Sequence, residues 1–203
     1  MRLKEIILNI IGVFLIVVGV VAILYAFYLG TPSLILWFCY MGSIMMGLGV
    51  LRRSNLLILS QVNILLIPAL VWSLDLFYIL VFQDSFLGIT DYFFREPLFA
   101  RIISLQHIYN VPLALIALFI IGKNQDRNIK YAWKFSFAQV AVIFVLSRIF
   151  LTREDNVNWA YYGGFSAPIV LPGLAYAFLW FIGVFLMILL THYAVAKIAM
   201  LRR

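Results

Sequence analysis

Charge is scarce in this chain of 203 residues: only 11% are Asp, Glu, Lys or Arg, against 66% hydrophobic residues. A soluble domain carries about 25% charged and about 45–50% apolar residues. With a mean hydropathy of +1.08, too little polar surface exists to cover a core in water, so a soluble globular fold is excluded. Cysteine is nearly missing. Cys39 stands alone in an apolar run, which excludes an internal disulfide and a thiolate metal cluster. Glycine-rich phosphate loops and H-E-x-x-H are absent too. No cofactor and no metal site is expected.

What is present is apolar sequence in long runs. A membrane span needs about 20 apolar residues. Runs of suitable length lie at about 6–28, 34–51, 55–82, 99–121, 131–151 and 173–197. They predict an all-α polytopic bundle of six transmembrane helices in a single domain, 1–203. The first run follows a basic start but is too long for a cleaved signal segment, and it reads as a span. Span three is long enough to tilt or to kink at Pro68.

The formal charge of +7 could suggest a nucleic-acid partner. The basic residues instead sit at segment ends, which points to membrane orientation and to no nucleic acid. Eleven of the 15 Lys and Arg fall on one side of a six-span arrangement: Arg2, Lys4, Arg52, Arg53, Lys123, Arg127, Lys130, Lys134, Lys197, Arg202 and Arg203. Arg95, Arg101, Arg148 and Arg153 fall on the other. The rule that cytoplasmic loops are basic then puts both termini in the cytoplasm of a multi-pass protein of the inner (cytoplasmic) membrane.

Polar groups inside the spans are costly and are functional candidates. Asp75 on span three and His107 on span four each lie roughly 5–12 Å below the outer surface, at about 1.5 Å per residue. An Asp75–His107 contact would ease the burial of both. Arg101, Ser104, His107 and Asn110 follow at three-residue intervals on span four. Pro112 frees the carbonyl of Ile108 beside the histidine. Arg148 lies near the outer end of span five, and the next loop brings Asn156, Asn158 and Trp159. His192 lies roughly 30 Å below the outer end of span six, too far from His107 to share a metal. It reads as an interfacial histidine, with Gln61 or Asn63 as possible partners. Ser43 and Gly47 form a small-xxx-small face for close helix packing, either inside the chain or in a homo-oligomer.

Three pieces of the chain resemble a group of uncharacterised multispanning bacterial membrane proteins. They are Leu59-Ser60-Gln61 followed by Trp72-x-x-Asp75, Arg101-x-x-Ser104-x-x-His107-x-x-x-x-Pro112-Leu113, and Leu151-Thr152-x-x-x-Asn156-Val157-Asn158-Trp159. Thr191-His192 adds a weaker match. A Gly-Tyr-Asp-Arg-like turn of that group is replaced here by Gly122-Lys123-Asn124-Gln125-Asp126-Arg127. The resemblance implies a shared fold and emphasises the same polar positions. It implies no reaction.

The expected function is an outward-facing polar pocket for a lipid headgroup or small polar ligand. Arg101, Asn110, Arg148, Asn156, Asn158 and Trp159 would be its binding residues, and membrane lipids its partners. The alternatives are an intramembrane hydrolase or acyltransferase using His107, Asp75 and Ser104, a small transporter with a route past Asn63, Gln139 and His192, or an assembly partner without chemistry.

Overall fold

A computed structural model describes residues 3–84, 86–122, 129–163 and 173–200. The described residues form helices and turns with no strand. Seven α-helices follow in order: α1 Leu3–Tyr28, α2 Phe38–Leu51, α3 Asn55–Phe82, α4 Leu98–Ser104, α5 Gln106–Ile121, α6 Ala132–Phe150 and α7 Gly173–Met200. Among the described residues, five helical segments are long and apolar enough to cross a membrane: Leu3–Tyr28, Asn55–Phe82, Leu98–Ile121, Ile129–Phe150 and Gly173–Lys197. The chain is thus an all-helical, multi-pass membrane protein. Its wide apolar faces suit lipid, as on α7, where Leu174, Phe178, Leu186 and Leu190 are exposed.

The run at 34–51 departs from the expected full-length helix. Its start is a 3-10 turn, Pro32–Leu36, and Trp37 is extended, with ψ 129°. Helix α2 then has 14 residues, about 21 Å of rise, which is short of a hydrocarbon core of about 30 Å. The run at 99–121 is divided as well, between α4 and α5 at Leu105. By contrast α3 runs unbroken through Pro68. Ser54 caps it, with its hydroxyl accepting from the Leu57 N–H at 3.4 Å.

Successive long segments run antiparallel, as contacts at their ends record. At the near end, the Arg53 guanidinium donates to Asn9 Oδ1 at 2.8 Å, joining the close of α2 to the start of α1. Asn55 Nδ2 donates to the Gly122 carbonyl at 2.8 Å, joining the start of α3 to the close of α5. At the far end, Tyr25 of α1 meets Phe99 of α4 edge to face, with centroids 4.9 Å apart. Helix α3 is the hub and packs against α2, α5, α6 and α7.

Helices α1 and α2 touch backbone to backbone. A Cβ on Gly47 would lie 2.6 Å from the Gly12 carbonyl oxygen and 2.9 Å from the Ile16 nitrogen. Ser43, one turn away, turns to α5. Its hydroxyl donates toward the Cys39 carbonyl, 2.7 Å, and toward Gln106 Oε1, 3.2 Å. The Ser43–Gly47 face is therefore occupied within the chain, the first of the two uses expected of it.

Candidate functional site

Asp75 is 1% exposed, as a buried carboxylate on the inner face of α3 should be only if it is well bonded. Its partners are not those expected. Oδ1 accepts from the Leu87 N–H at 2.8 Å, and Oδ2 accepts from the Thr90 N–H and hydroxyl, both at 2.8 Å. The carboxylate thus ties down the loop that follows its own helix and makes no bond to His107. Asp75→Asn would turn an N–H donor toward one of these loop donors. It is expected to cost about 1–3 kcal/mol, the usual range for a buried polar group left unpaired. Faster hydrogen exchange at the Leu87 and Thr90 amides would register the loosened loop, and unchanged exchange would refute the anchor role.

His107 sits one turn deeper on the same α3–α5 seam. Its ring stacks on Trp72 with centroids 4.7 Å apart and planes at 21°. Its Nδ1 lies 2.8 Å from the Ser104 carbonyl oxygen. A carbonyl only accepts, so Nδ1 carries a proton in this arrangement. This bond also explains the division at Leu105. The ring occupies the carbonyl that the Ile108 N–H would use in an α-helix, and Ile108 bonds to the Leu105 carbonyl instead, at 2.9 Å. Trp72 Nε1 donates to the Tyr92 hydroxyl at 3.0 Å, and Tyr92 donates to Ser104 Oγ at 3.4 Å. Burial raises the Tyr92 phenol above its ordinary pKa, so it acts as a neutral link. The proposed catalytic trio is not assembled: Asp75 serves the loop, and the bond between residues 104 and 107 uses the serine carbonyl rather than its hydroxyl.

The remaining expected residues have separate duties. Arg101 donates to the carbonyls of Glu96 and Phe94, each at 2.7 Å, and so fastens the loop before α4. Asn110 donates to Ser43 Oγ and, at 3.4 Å, to Gln106 Oε1, deeper in the bundle. Asn156 Oδ1 accepts from the N–H groups of Tyr161, 3.0 Å, and Tyr162, 3.2 Å. Asn158 reaches across to the broken start of α2. Its Oδ1 accepts from the Phe38 N–H at 3.1 Å and its Nδ2 donates to the Leu36 carbonyl at 2.6 Å. Trp159 offers its carbonyl to the Tyr176 hydroxyl at 2.7 Å.

Arg148 alone among these keeps its charged group uncommitted. The guanidinium lies over the rings of Tyr161 at 4.5 Å and Phe144 at 5.3 Å. Its Nε is buried with no hydrogen-bond partner among the described residues. Tyr161 is itself fixed, with its hydroxyl 2.7 Å from the Leu151 carbonyl at the close of α6. The carboxylate of Asp155, in the loop after α6, is held by the Thr152 N–H and hydroxyl, at 2.9 and 2.8 Å. Bonds from the Thr152 backbone first, then from the Thr152 and Ser33 hydroxyls, hold its pKa below the ordinary value.

The single pocket expected from the sequence is therefore divided. His107 belongs to the α3–α5 seam, and Arg148 belongs to the far end of α6 beside the loop that leads to α7. Two structural participants were not singled out from the sequence. Tyr92 lies in an irregular loop and carries no periodic signal. Gln106 is a polar residue inside an apolar run, one helical turn before Asn110, and that spacing was available as a sign. Comparison with family models, curated proteins and solved structures finds no match to this chain.

Proposed function

We propose that this chain is a six-span protein of the cytoplasmic membrane, with both termini in the cytoplasm, that holds an anionic lipid headgroup or small polar anion at its outer boundary. Arg148 supplies the cation. In this reading α2 and its preceding turn make the shallow sixth pass, and the far end of the bundle faces outward, in keeping with its few basic residues. The carrying observation is a guanidinium braced between two rings, with a buried Nε, that no described residue meets with an acceptor. A buried N–H donor left without an acceptor is costly, and guanidinium geometry suits phosphate and carboxylate oxygens. The adjoining stretch 164–172 contains no Asp or Glu to supply the pair.

The test is native mass spectrometry of protein purified in mild detergent with its native lipids. Arg148→Gln is expected to lower retention of anionic lipid about tenfold or more, since charged hydrogen bonds contribute about 1.5–3 kcal/mol. Arg101→Gln is the matched control, because that guanidinium is already bonded to the Glu96 and Phe94 carbonyls. Equal retention by wild type and Arg148→Gln would remove the proposal.

A further inference from the structure

A second polar centre lies at the near end, where α3, α6 and α7 meet. Gln61 and Gln139 exchange amide bonds of 2.7 and 3.1 Å. Beside them Asn63 joins both partner helices. Its Nδ2 lies 3.2 Å from Ser136 Oγ on α6 and 3.4 Å from His192 Nδ1 on α7. Asn63, Thr191 and His192 are 0%, 2% and 4% exposed, so His192 is buried within the bundle, beside one of the two partners expected for it. Asn63 Oδ1 and Thr191 Oγ1 are buried without a partner among the described residues.

As arranged here, the bonds are consistent with one another in direction. Ser136 has one hydroxyl proton, directed to the Ser60 or Ala132 carbonyl, each at 2.8 Å. Its Oγ can then only accept from Asn63, so the amide must turn Nδ2 toward it. The same Nδ2 faces His192 Nδ1, which must therefore carry a lone pair. The neutral ring holds its proton on Nε2. His107 has the opposite arrangement, with its proton on Nδ1.

We propose that His192 is a proton-binding site whose occupancy turns over the Asn63 amide. A proton added at Nδ1 would face the amide N–H. Rotation of the amide by half a turn removes that conflict and brings Oδ1, unpartnered in the first state, to accept from Nδ1–H. Ser136 then swings its proton from the backbone carbonyl to Oδ1. The only covalent change is the gain of Nδ1–H, as a hydronium ion gives up one O–H and leaves as water. The two states differ in the direction of the Asn63–His192 bond, which links α7 to α3, and of the Asn63–Ser136 bond, which links α3 to α6. Other titratable groups on these elements do not compete for the ring. Helix α3 has none between Asn55 and Asp75. On the α6 side, Lys134 lies over the rings of Tyr131 and Trp133, both at 5.5 Å, and Arg148 is at the far end. On α7, Tyr193 meets the His192 ring edge-on with centroids 5.6 Å apart, and Lys197 and Tyr176 have no described bond to it.

The chain has two histidines, so nitrogen NMR of labelled histidine in nanodiscs resolves the question, with His107→Gln assigning the signals. At neutral pH, over about nine-tenths of His192 is expected as the Nε2–H tautomer, against Nδ1–H for His107. On acidification, His192 should titrate together with a shift of the Asn63 side-chain amide signals. Ser136→Ala, which releases the amide, should raise the Nδ1–H fraction several-fold. Should that variant fail to fold, the wild-type titration decides alone. A wild-type His192 in the Nδ1–H form or in an even mixture overturns the proposal. So does a His192 that does not titrate before the protein unfolds, or one that titrates without moving Asn63.

Discussion

Asn158→Ala is expected to cost roughly 2–6 kcal/mol in lost bonds, because two backbone groups lose their partners at about 1–3 kcal/mol each. The N–H of Phe38 and the carbonyl of Leu36 flank the break that precedes α2, and the one side chain serves both. Within a membrane such groups find little water to replace a lost bond. Asn158 also sits at φ 53°, between Asn156 at 35° and Trp159 at 57°. Asn tolerates this left-handed region better than most residues, whereas Ala adds about 1–2 kcal/mol of strain. Asn158→Gly keeps the backbone freedom and loses only the bonds, so the gap between the Ala and Gly variants measures the strain. Asn158→Asp keeps the acceptor for Phe38 but places a carboxylate against the Leu36 carbonyl, and should resemble Ala. Thermal unfolding in detergent is the measurement, with an expected drop for Ala on the order of 10 °C. A change within 2 °C in all three variants would show that the loop does not cap α2, taking about 2–4 °C per kcal/mol.

Gly47→Val should separate α1 from α2. The contact is with the backbone of α1 at Gly12 and Ile16, which cannot turn aside as a flexible side chain would. Overpacking of this kind costs about 1–3 kcal/mol and sometimes more. Gly12→Ala should be milder, because its Cβ would chiefly meet the movable Leu51 side chain, at 2.7 Å, and the Gly47 carbonyl only at 3.1 Å. Combined, the two changes should cost less than their sum, since one displacement relieves both clashes. Gly183→Ala is the control. A Cβ there meets nothing within 4 Å, and the helix gains about 1 kcal/mol of propensity. Full additivity of the Gly12 and Gly47 variants would contradict the shared contact.

The helices were legible to differing degrees. The run at 55–82 and the helix coincide, because an apolar stretch after a capping serine specifies a helix locally. The interruption before α2 was not legible, because the residue that satisfies it lies 120 positions away. The division at Leu105 depends on a ring proton taking a carbonyl within one turn of helix. The sequence offers the histidine but not its rotamer.

The same division holds for polar residues. Composition alone required a lipid solvent, and the cost of burying Asp75 and His107 marked them as residues that need partners. Which partner each obtains is a matter of distances below about 3.5 Å, and helix spacing in a sequence resolves position only to about one turn. Asp75 and His107 could share a height and still bond elsewhere, one to the loop amides at Leu87 and Thr90, the other to Ser104. His192 and Asn63 were within reach by depth, and only the packing of α7 on α3 and α6 set the direction of their bond. The sequence by itself determined the solvent, the long apolar runs and the list of residues whose burial is expensive. The tertiary structure decided which hydrogen bonds offset that expense, because donors and acceptors remote in sequence meet only after the helices have packed.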